Sequence, residues 1–208
     1  TRFMHKNIYK HKKIVIASHN KGKIKEIQEL LEPLKIDIFS ATDFDLQEPI
    51  ENGLSFKQNA LIKSSYVSKM IGIPSLSDDS GICFSDLNNE PGIYSARWAG
   101  EKKDFKLAMS KVYDSIKNIK KPNYNCFFVC ALSLCWPDGN NVTVSGKIDG
   151  KFSWPPKGNF GFGYDPIFQP LGYDKTFGEM KPEFKHSISH RAIAFKKLIN
   201  LCFPSLEN

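Results

Sequence analysis

The sequence lacks the features that mark membrane-spanning, disulfide-stabilised and zinc-binding proteins. Its longest apolar stretch, CFFVCALSLCW at 126–136, is too short to span a bilayer. The five cysteines form no CxxC pair and are odd in number, and four of them lie among apolar neighbours, as buried free thiols do. We therefore expect neither a zinc site nor a disulfide framework, and we expect no membrane partner and a cytoplasmic location.

Internal repeats, low-complexity segments and an obvious interdomain linker are also lacking. Residues 1–13 are basic, but no long apolar segment follows them, so neither a secretory signal nor a membrane anchor is expected. We predict a short disordered lead-in at 1–13 and one domain over 14–208. The net charge of +7 would suit a nucleic-acid partner, but no long block of Arg and Lys appears. A solvated Lys-rich surface explains most of this charge, and we expect no nucleic-acid partner.

The apolar periodicity predicts mixed α and β structure around a long central sheet. Strands are predicted over 14–17, 36–44, 76–84, 124–136 and 141–148. Helices are predicted after Gly22 as far as Pro33, from Phe56 to Gly72, over 104–119 and from Ser189 onward. The predicted buried faces of the second and the last helix comprise Phe56, Ala60, Lys63, Val67 and Met70, and Ala194, Leu198, Leu201 and Cys202.

Polar residues of the stretch SHNKGK, at 18–23, follow the first predicted strand. The spacing of a Walker loop is absent. Nevertheless, Ser18, Asn20, Lys21 and Lys23 place hydroxyl, amide and ammonium donors at the start of a helix, which suits phosphate oxygens. A plain strand-to-helix connection with solvent-facing lysines remains the alternative from these residues alone.

Two adjacent aspartates interrupt the apolar strand LSDDSGICF at 76–84. Because successive strand side chains point to opposite faces, Asp78 and Asp79 are not expected to share a proton at one reacting atom. One of them can serve a site while the other pairs with cationic or backbone groups behind it. Glu48 and Glu51 offer further oxygen ligands, and so sparse a set suits Mg²⁺ better than Ca²⁺. A solvated acidic turn is the alternative.

Aromatic and basic residues cluster in two later stretches. GNFGFGYDPIF, at 158–168, combines glycines with aromatic rings that can stack on a base, so we interpret it as a flexible aromatic platform or as a packed loop. KHSISHRAIAF places basic side chains at the entrance to the last helix, where they can donate to a carbonyl or phosphate or can cap the helix. The residues concerned are Phe160, Phe162, Tyr164, Lys185, His190 and Arg191.

Taken in order, five blocks of the sequence resemble the Ham1/inosine triphosphate pyrophosphatase family. They extend from about residue 14 to 201 and read ASHNKGKIKEI, ENGLSFKQNA, LSDDSGICFSDLNNEPGIYSARWAG, GFGYDPIF and SHRAIAFKKL. The resemblance implies one elongated α/β protein with two lobes around a long mixed sheet, a nucleotide cleft between the lobes, and a homodimer. His19 departs from the family, whose members often carry glycine there.

The resemblance also implies an activity and residue roles. Members hydrolyse the non-canonical purine nucleoside triphosphates ITP, dITP and XTP to the monophosphate and pyrophosphate, using Mg²⁺. Asp79 resembles the acid that activates water and helps hold the metal, Glu51 matches the acidic metal position, and Asp78 is expected to support them. Contacts to the triphosphate are implied for Ser18, His19, Asn20, Lys21, Gly22 and Lys23, and a substrate contact for Ser80. The base pocket is implied for Phe162, Gly163, Tyr164, Asp165, Lys185, His190 and Arg191. The alternatives are a related pyrophosphatase acting on other modified nucleotides and a non-catalytic nucleotide- or RNA-binding module.

Overall fold

The computed structural model describes residues 7–204 and confirms a mixed α/β fold with a central sheet. Within these residues the strands are β1 Lys13–Ile16, β2 Asp37–Ser40, β3 Ser75–Phe84, β4 Glu90–Pro91, β5 Asn125–Cys135, β6 Asn141–Phe152 and β7 Phe168–Pro170. The helices of the same residues are α1 Lys21–Leu31, α2 Phe56–Ile71, α3 Phe105–Ile116, α4 Pro182–Ile188 and α5 His190–Cys202. Residues 1–6, the first part of the predicted lead-in, lie outside the described residues.

Local side-chain chemistry sets the ends of the two helices nearest the polar motifs. Asn20 Oδ1 accepts from the Lys23 backbone N–H at 3.1 Å at the start of α1, and Ser55 Oγ accepts from that of Gln58 at 3.1 Å at the start of α2. Each cap satisfies a backbone donor that has no partner inside its helix. Gly72 ends α2 with a φ of 75°, which glycine adopts without the steric cost of a Cβ.

The strands follow the order β2-β1-β3-β5-β6-β7, and β4 pairs with β3 beside this path. β1 pairs in parallel with β2 and β3, as strand–helix–strand connections require, whereas β4 and β7 pair antiparallel with β3 and β6. Ile16 lies opposite Leu76, and the Ala17 backbone N–H donates to the Leu76 carbonyl at 2.8 Å. This register starts the polar loop after β1 beside the aspartates of β3.

The described chain forms two compact units, and unit 1 comprises the described residues up to Asp79, Cys130–Gly146 and those from Arg191 onward. Its main core contains apolar side chains of β1, α1, β5, β6 and α5. Tyr9, from the segment predicted as a disordered lead-in, is buried in this core, and its backbone N–H donates to the Cys202 carbonyl at 2.8 Å. That part of the segment is therefore packed.

Unit 2 comprises Ser80–Val129 and Lys147–His190. Its core is rich in aromatic rings: Phe128 packs edge-on against Phe168, with centroids 4.6 Å apart, and lies parallel to Phe177 at 5.8 Å. One face of α3 packs on this core through buried side chains that include Val112 and Ile116. The buried residues Ala108, Val112 and Ile116 recur at the spacing of one helix face.

Two predicted helix faces are each wrong at one position. Met70 is 60% exposed, because the buried stripe of α2 continues through the small residues Ser64 and Ser68 instead. Ser64 Oγ donates to Ser133 Oγ at 3.0 Å, so burial does not leave it unsatisfied. Leu201 of α5 is 54% exposed. Hydropathy alone misses such positions, since it cannot identify a buried hydroxyl.

Several predicted boundaries also differ from the structure. The strand predicted over 36–44 ends at Ser40, where the Ser40 backbone N–H donates to the Asp43 carboxylate and a 3-10 turn begins. The last strand of the predicted set, 141–148, extends to Phe152, and α3 is shorter than the predicted 104–119. A separate helix, α4, precedes the predicted C-terminal helix.

All five cysteines are free and buried, which confirms the expectation of buried thiols and no disulfide framework. Among residues 7–204, none of the helices has the length and apolar content that a membrane crossing requires.

Candidate active site

The loop after β1 is shaped by its own side chains. Ser18 is buried and its Oγ accepts from the Asn20 backbone N–H at 3.1 Å, while Asn20 caps α1. The loop therefore delivers the chain to the N-terminus of an 11-residue helix, where backbone N–H groups and the helix dipole favour an anion. Phosphate contacts from Ser18, Asn20, Lys21 and Gly22 stay predictions.

His19 connects this loop to the acidic loop that follows β2. Its Nε2 lies 2.7 Å from the Leu46 carbonyl oxygen, and both its backbone N and its Nδ1 lie 3.2 Å from Glu48 Oε1. Glu48, which the sequence offers as a possible metal ligand, therefore pairs with His19 in this structure. The His19 side chain thus adds contacts between the two loops.

Asp78 is a completely buried carboxylate whose partners include two cations and a thiol. Lys23 Nζ lies 2.9 Å from Oδ1, while Oδ2 accepts from Arg191 Nε at 2.8 Å and from the Cys130 thiol at 3.0 Å. Burial by itself raises the pKa of Asp78, but Arg191 and Lys23 outweigh it and hold that pKa well below its usual range. Asp78 is therefore ionised and orients Lys23 at the start of α1.

Arg191 belongs to the same buried network. Its Nη1 donates to the Glu26 carboxylate, and Glu26 lies one turn after Lys23 on α1. The resemblance assigns Arg191 to the base pocket, but the contacts of its Nε and Nη1 are with carboxylates of unit 1. A base contact by Arg191 stays a prediction. What the structure shows is a guanidinium that joins β3 and α1 to the first turn of α5.

Asp79 has the opposite environment. It is 6% exposed, and its Oδ2 is buried with no hydrogen-bond partner among the described residues. The pKa of Asp79 is raised to about 6: burial is the largest cause, Lys23 and Lys63 oppose the rise, and Glu51 and Asp78 add to it. A buried carboxylate oxygen without a donor is costly unless a cation or a water completes it. The Asp79 carboxylate is therefore suited to bind a cation or a water.

Lys63 and Glu51 pair with each other, and both act on the charge of Asp79. Lys63 is buried on α2, and its Nζ lies 3.2 Å from Glu51 Oε1 and donates to the Asp78 carbonyl oxygen at 2.5 Å. The loop that carries Glu51 is tied to α2 because the Gly53 backbone N–H donates to Asn59 Oδ1 at 2.8 Å. The Lys63 ammonium therefore connects the backbone beside Asp79 to the second predicted metal ligand.

The donor set fits Mg²⁺ better than a cation held by the protein alone. Residues 7–204 contain no group of three or more His, Cys, Asp or Glu side chains arranged to hold a metal ion. Mg²⁺ is usually bound by one or two carboxylates together with substrate phosphates and waters. Asp79, with an unsatisfied oxygen, and Glu51, whose charge raises the pKa of Asp79, match that requirement.

In unit 2, Asp165 organises the aromatic loop at 158–168. Its Oδ2 accepts from the Phe162 backbone N–H at 3.0 Å and from Lys185 Nζ at 2.7 Å. Lys185 is 2% exposed, and its ammonium lies 5.0 Å from the Phe162 ring centroid. Gly161 has a φ of 71°, and a Cβ there would lie 2.0 Å from Asp165 Oδ2. The carboxylate thus fixes both the loop and the lysine.

The same loop is held more firmly than the flexible platform that the sequence suggests. The Phe160 backbone N–H donates to the Gly178 carbonyl at 2.9 Å, and a Cβ on Gly158 would lie 1.9 Å from that oxygen. Tyr164 is buried in the core of unit 2, and its hydroxyl donates to the Ser95 carbonyl at 2.7 Å. Placing the Tyr164 ring on an exposed platform is therefore wrong, whereas Phe160 is exposed and Phe162 is half-buried.

The remaining predicted contacts are split between core and partly exposed positions of unit 2. His190 is buried and stacks on Phe128, with centroids 4.6 Å apart and planes 9° apart. Gly163 and Ser80 are half-buried. Substrate contacts by these three residues stay predictions.

Comparison with known proteins decides the family. The Ham1 family model matches residues 14–201. The chain belongs to the Ham1 family. This confirms the assignment that the five sequence blocks suggest.

Relatives of this Ham1 family member match along most of their length. It is 48% identical over 191 residues to the dITP/XTP pyrophosphatase of Zymomonas mobilis, covering 91% of each chain. It is 44% identical over 205 residues to that of Rhizobium meliloti, covering 92% of this chain and 96% of the relative. A HAM1 protein from Coxiella burnetii has a similar structure, with a TM-score of 0.82, 34% identity, and coverage of 90% of this chain and 96% of that one. The Staphylococcus aureus Ham1 protein also has a similar structure, with a TM-score of 0.81 and 34% identity, covering 95% of this chain and 100% of that one.

Three side chains of the Ham1 site escaped the sequence analysis. Lys63 was assigned only to the apolar face of α2, although a lysine inside a predicted buried stripe is itself a signal, since lysine is rarely buried without a partner. Glu26 gave no such signal, because it is not among the apolar positions of α1, although the structure buries it. No signal in the sequence indicated that Cys130 belongs to this network, because a thiol in an apolar strand is typical of a core.

Proposed function

We propose that this protein hydrolyses non-canonical purine nucleoside triphosphates, namely dITP, ITP and XTP, to the monophosphate and pyrophosphate in the presence of Mg²⁺. The observation that carries the proposal is the buried Asp79 carboxylate, whose Oδ2 lacks a donor although Lys23 and Lys63 act on its charge. A protein that merely bound phosphates would gain nothing from a buried acid there. The names of the relatives, dITP/XTP pyrophosphatase, support the same substrate class.

The chain's own groups account for phosphate binding and proton transfer. The N-terminus of α1 and the Lys23 ammonium bind phosphate oxygens, and Asp78 keeps Lys23 in place. Asp79 accepts the proton of the attacking water on its carboxylate, and a pKa near 6 leaves it ionised and still basic near neutral pH. Asp79 and Glu51 would hold Mg²⁺, which supplies positive charge against the pyrophosphate as it leaves.

Base recognition is assigned to unit 2. Inosine and xanthine present a 6-keto acceptor where adenine presents an amino donor. The Lys185 ammonium, fixed by Asp165 beside the Phe162 ring, donates to an acceptor but not to adenine's amino group. A site built to hydrogen-bond one group rejects the analogue that lacks it by orders of magnitude. The Phe162 ring adds a face on which a purine can stack.

Location and assembly complete the proposal. Five buried free thiols suit a reducing compartment, which supports the cytoplasm. A homodimer is proposed from the family resemblance. Sedimentation at micromolar protein concentration tests it, and a purely monomeric species would contradict it.

The deciding experiment measures pyrophosphate release from ITP, XTP, dITP, GTP, ATP and UTP, with Mg²⁺ or with EDTA. We expect the inosine and xanthine nucleotides to be hydrolysed far faster than the others, and both EDTA and Asp79→Asn to abolish the reaction. Asp114→Asn is the matched control, because Asp114 is an exposed aspartate of α3 whose carboxylate pairs with the exposed Lys117. Equal rates for GTP and ITP would refute the specificity, and activity that survives EDTA and Asp79→Asn would refute the mechanism.

A further inference from the structure

Tyr124 is held on the surface of unit 2 in a strained conformation. Its φ is 60°, a value that bulky residues rarely adopt, and its side chain is 44% exposed. The backbone N–H groups of Asn123 and Tyr124 donate to Asp86 Oδ1 and Oδ2, at 3.0 and 2.8 Å. Because the ring fills no core, packing does not explain this strain. Strained residues held by their surroundings are characteristic of binding sites.

Tyr124 is the outer end of a column of four aromatic rings. Its ring centroid lies 6.2 Å from that of Phe152, which lies 6.1 Å from Trp154, which in turn stacks on Tyr113 at 4.5 Å with planes 8° apart. These rings, with Ile116 and Lys117, line a cavity of about 320 Å³. That volume lies within the range of small-ligand sites. The cavity therefore offers aromatic surface to a flat heterocycle.

Most of the net positive charge of the chain lies in the two sequence segments that contribute the four rings of this column. Residues 101–124 carry seven lysines against three acidic residues, and residues 147–157 carry three lysines against one. Subtracting the acids leaves +4 and +2, so these segments account for six of the seven net charges. All ten lysines are exposed. Lys117 lies 5.7 Å from the Tyr113 ring centroid and also pairs with Asp114, and Lys151 donates to the Asn123 carbonyl at 3.0 Å.

We propose that this surface binds single-stranded nucleic acid. The Tyr124 face is defined by Tyr113, Lys117, Lys120, Lys121, Tyr124 and Trp154. Base stacking on aromatic rings, combined with lysine contacts to phosphates, is the usual mode of sequence-tolerant single-strand binding. A duplex hides its base faces from such stacking, and binding to phosphatidylserine vesicles distinguishes an anionic lipid surface from a nucleic acid. The Tyr124 face shares no residue with the proposed hydrolytic site, so its proposed role does not depend on the proposed function. It departs from the expectation, drawn from the sequence, that the protein has no nucleic-acid partner.

Fluorescence anisotropy with labelled 20-nucleotide oligouridine and oligothymidine tests the proposal on the full chain at 50 and 200 mM salt. We expect saturable binding that Tyr124→Ala weakens by about 5- to 100-fold, the effect of removing one base–aromatic stack. Tyr173→Ala is the matched control, since Tyr173 is also an exposed tyrosine of unit 2, and it should bind as the wild type does. Equal affinities of Tyr124→Ala and wild type would overturn the proposal.

A second variant tests the lysines without touching the rings. Lys117→Gln, Lys120→Gln and Lys121→Gln together should make the slope of log K against log salt shallower by about 2, because each phosphate contact to a single strand contributes about 0.7. The same change at the exposed Lys12, Lys69 and Lys196 of unit 1 should leave the slope unchanged. The proposal would be overturned if the oligonucleotides did not bind at 50 mM salt. It would also be overturned if a 20-base-pair duplex or phosphatidylserine vesicles bound equally well, or if micromolar uridine monophosphate competed fully.

Discussion

Replacing each of the two adjacent aspartates by asparagine should change the stability of the metal-free protein in opposite directions. Asp78 has ionic partners on both oxygens, whereas Asp79 has a buried oxygen without a donor. We therefore expect Asp78→Asn to destabilise the protein and Asp79→Asn to stabilise it at pH 8 in EDTA. Because the two positions are consecutive on β3, differences of location in the fold cannot explain opposite signs.

The size of the Asp79 effect follows from proton linkage. The pKa of Asp79 is about 6 in the folded protein and about 3.9 in an unfolded chain, and each unit corresponds to about 1.4 kcal/mol. The folded state thus binds more protons between these values, so the contribution of Asp79 to stability falls as the pH rises from about 4 through about 6. Asp79→Asn removes this penalty and should raise the free energy of unfolding by up to about 3 kcal/mol at pH 8, with no gain below pH 4.

The Asp78 effect has the opposite pH dependence. Removing one member of a buried ion pair leaves its partners uncompensated, which typically costs about 3–5 kcal/mol. Since the pKa of Asp78 is well below its usual value in the folded state, its stabilisation is complete above about pH 4 and is lost as the pH falls below that. The difference between wild type and Asp78→Asn should therefore be constant from pH 5 to 8 and should shrink in more acidic solution.

Urea denaturation in EDTA at pH 4 and pH 8 measures both effects. Asp114→Asn, which removes an exposed ion pair on α3, should leave the free energy of unfolding nearly unchanged at either pH. Adding Mg²⁺ should stabilise the wild type and not Asp79→Asn, because only the wild type retains the proposed ligand. A loss of stability in Asp79→Asn at pH 8 in EDTA, or a loss below 1 kcal/mol in Asp78→Asn, would refute this account.

Other predictions concern activity and thiol chemistry. Lys63→Met removes an ammonium that lowers the pKa of Asp79, so the acidic limb of the pH–rate profile for ITP hydrolysis should move to higher pH; an unchanged limb would contradict this. Gly161→Ala places a methyl group against the Asp165 carboxylate and should lower kcat/KM for ITP by about 10- to 100-fold through misplacement of the loop, with circular dichroism checking that the fold is kept. Cys83, whose pKa burial raises to about 11, and the other four thiols should not react with Ellman's reagent at pH 8 until the protein is unfolded.

The features that sequence predicted well are those set by local periodicity. α1 and α2 begin beside the polar residues that cap them, and the Gly72 stop signal ends α2. The alternation of side chains along a strand also predicted that Asp78 and Asp79 would have different partners, which the contacts show. In each case, the information lies within a few residues of the chain.

The features that sequence missed depend on residues that are far apart in the chain. Lys63 reaches Asp78 and Glu51, and Arg191 reaches Glu26, across as many as 165 positions. Without tertiary contacts a lysine or an arginine is expected at the surface, because an unpaired buried charge is unfavourable. Only the pairing makes their burial possible, and single-sequence periodicity contains no information on pairing.

The buried charges also explain how β3 can hold a destabilising carboxylate, Asp79, next to a stabilising one, Asp78. A buried ion network is weak evidence for stability, because the desolvation of each ion offsets much of the attraction between them. The desolvation cost of Asp78 is offset because both its oxygens have cationic partners. The contact with Lys23 also fixes that side chain at the start of α1. Asp79 shares the backbone of that strand but not those partners, so its position is held rigidly while its carboxylate stays unsatisfied. Because side chains alternate along a β-strand, Asp78 points to the supporting cations and Asp79 to the position proposed for catalysis. The destabilising carboxylate is therefore the one for which we propose a ligand.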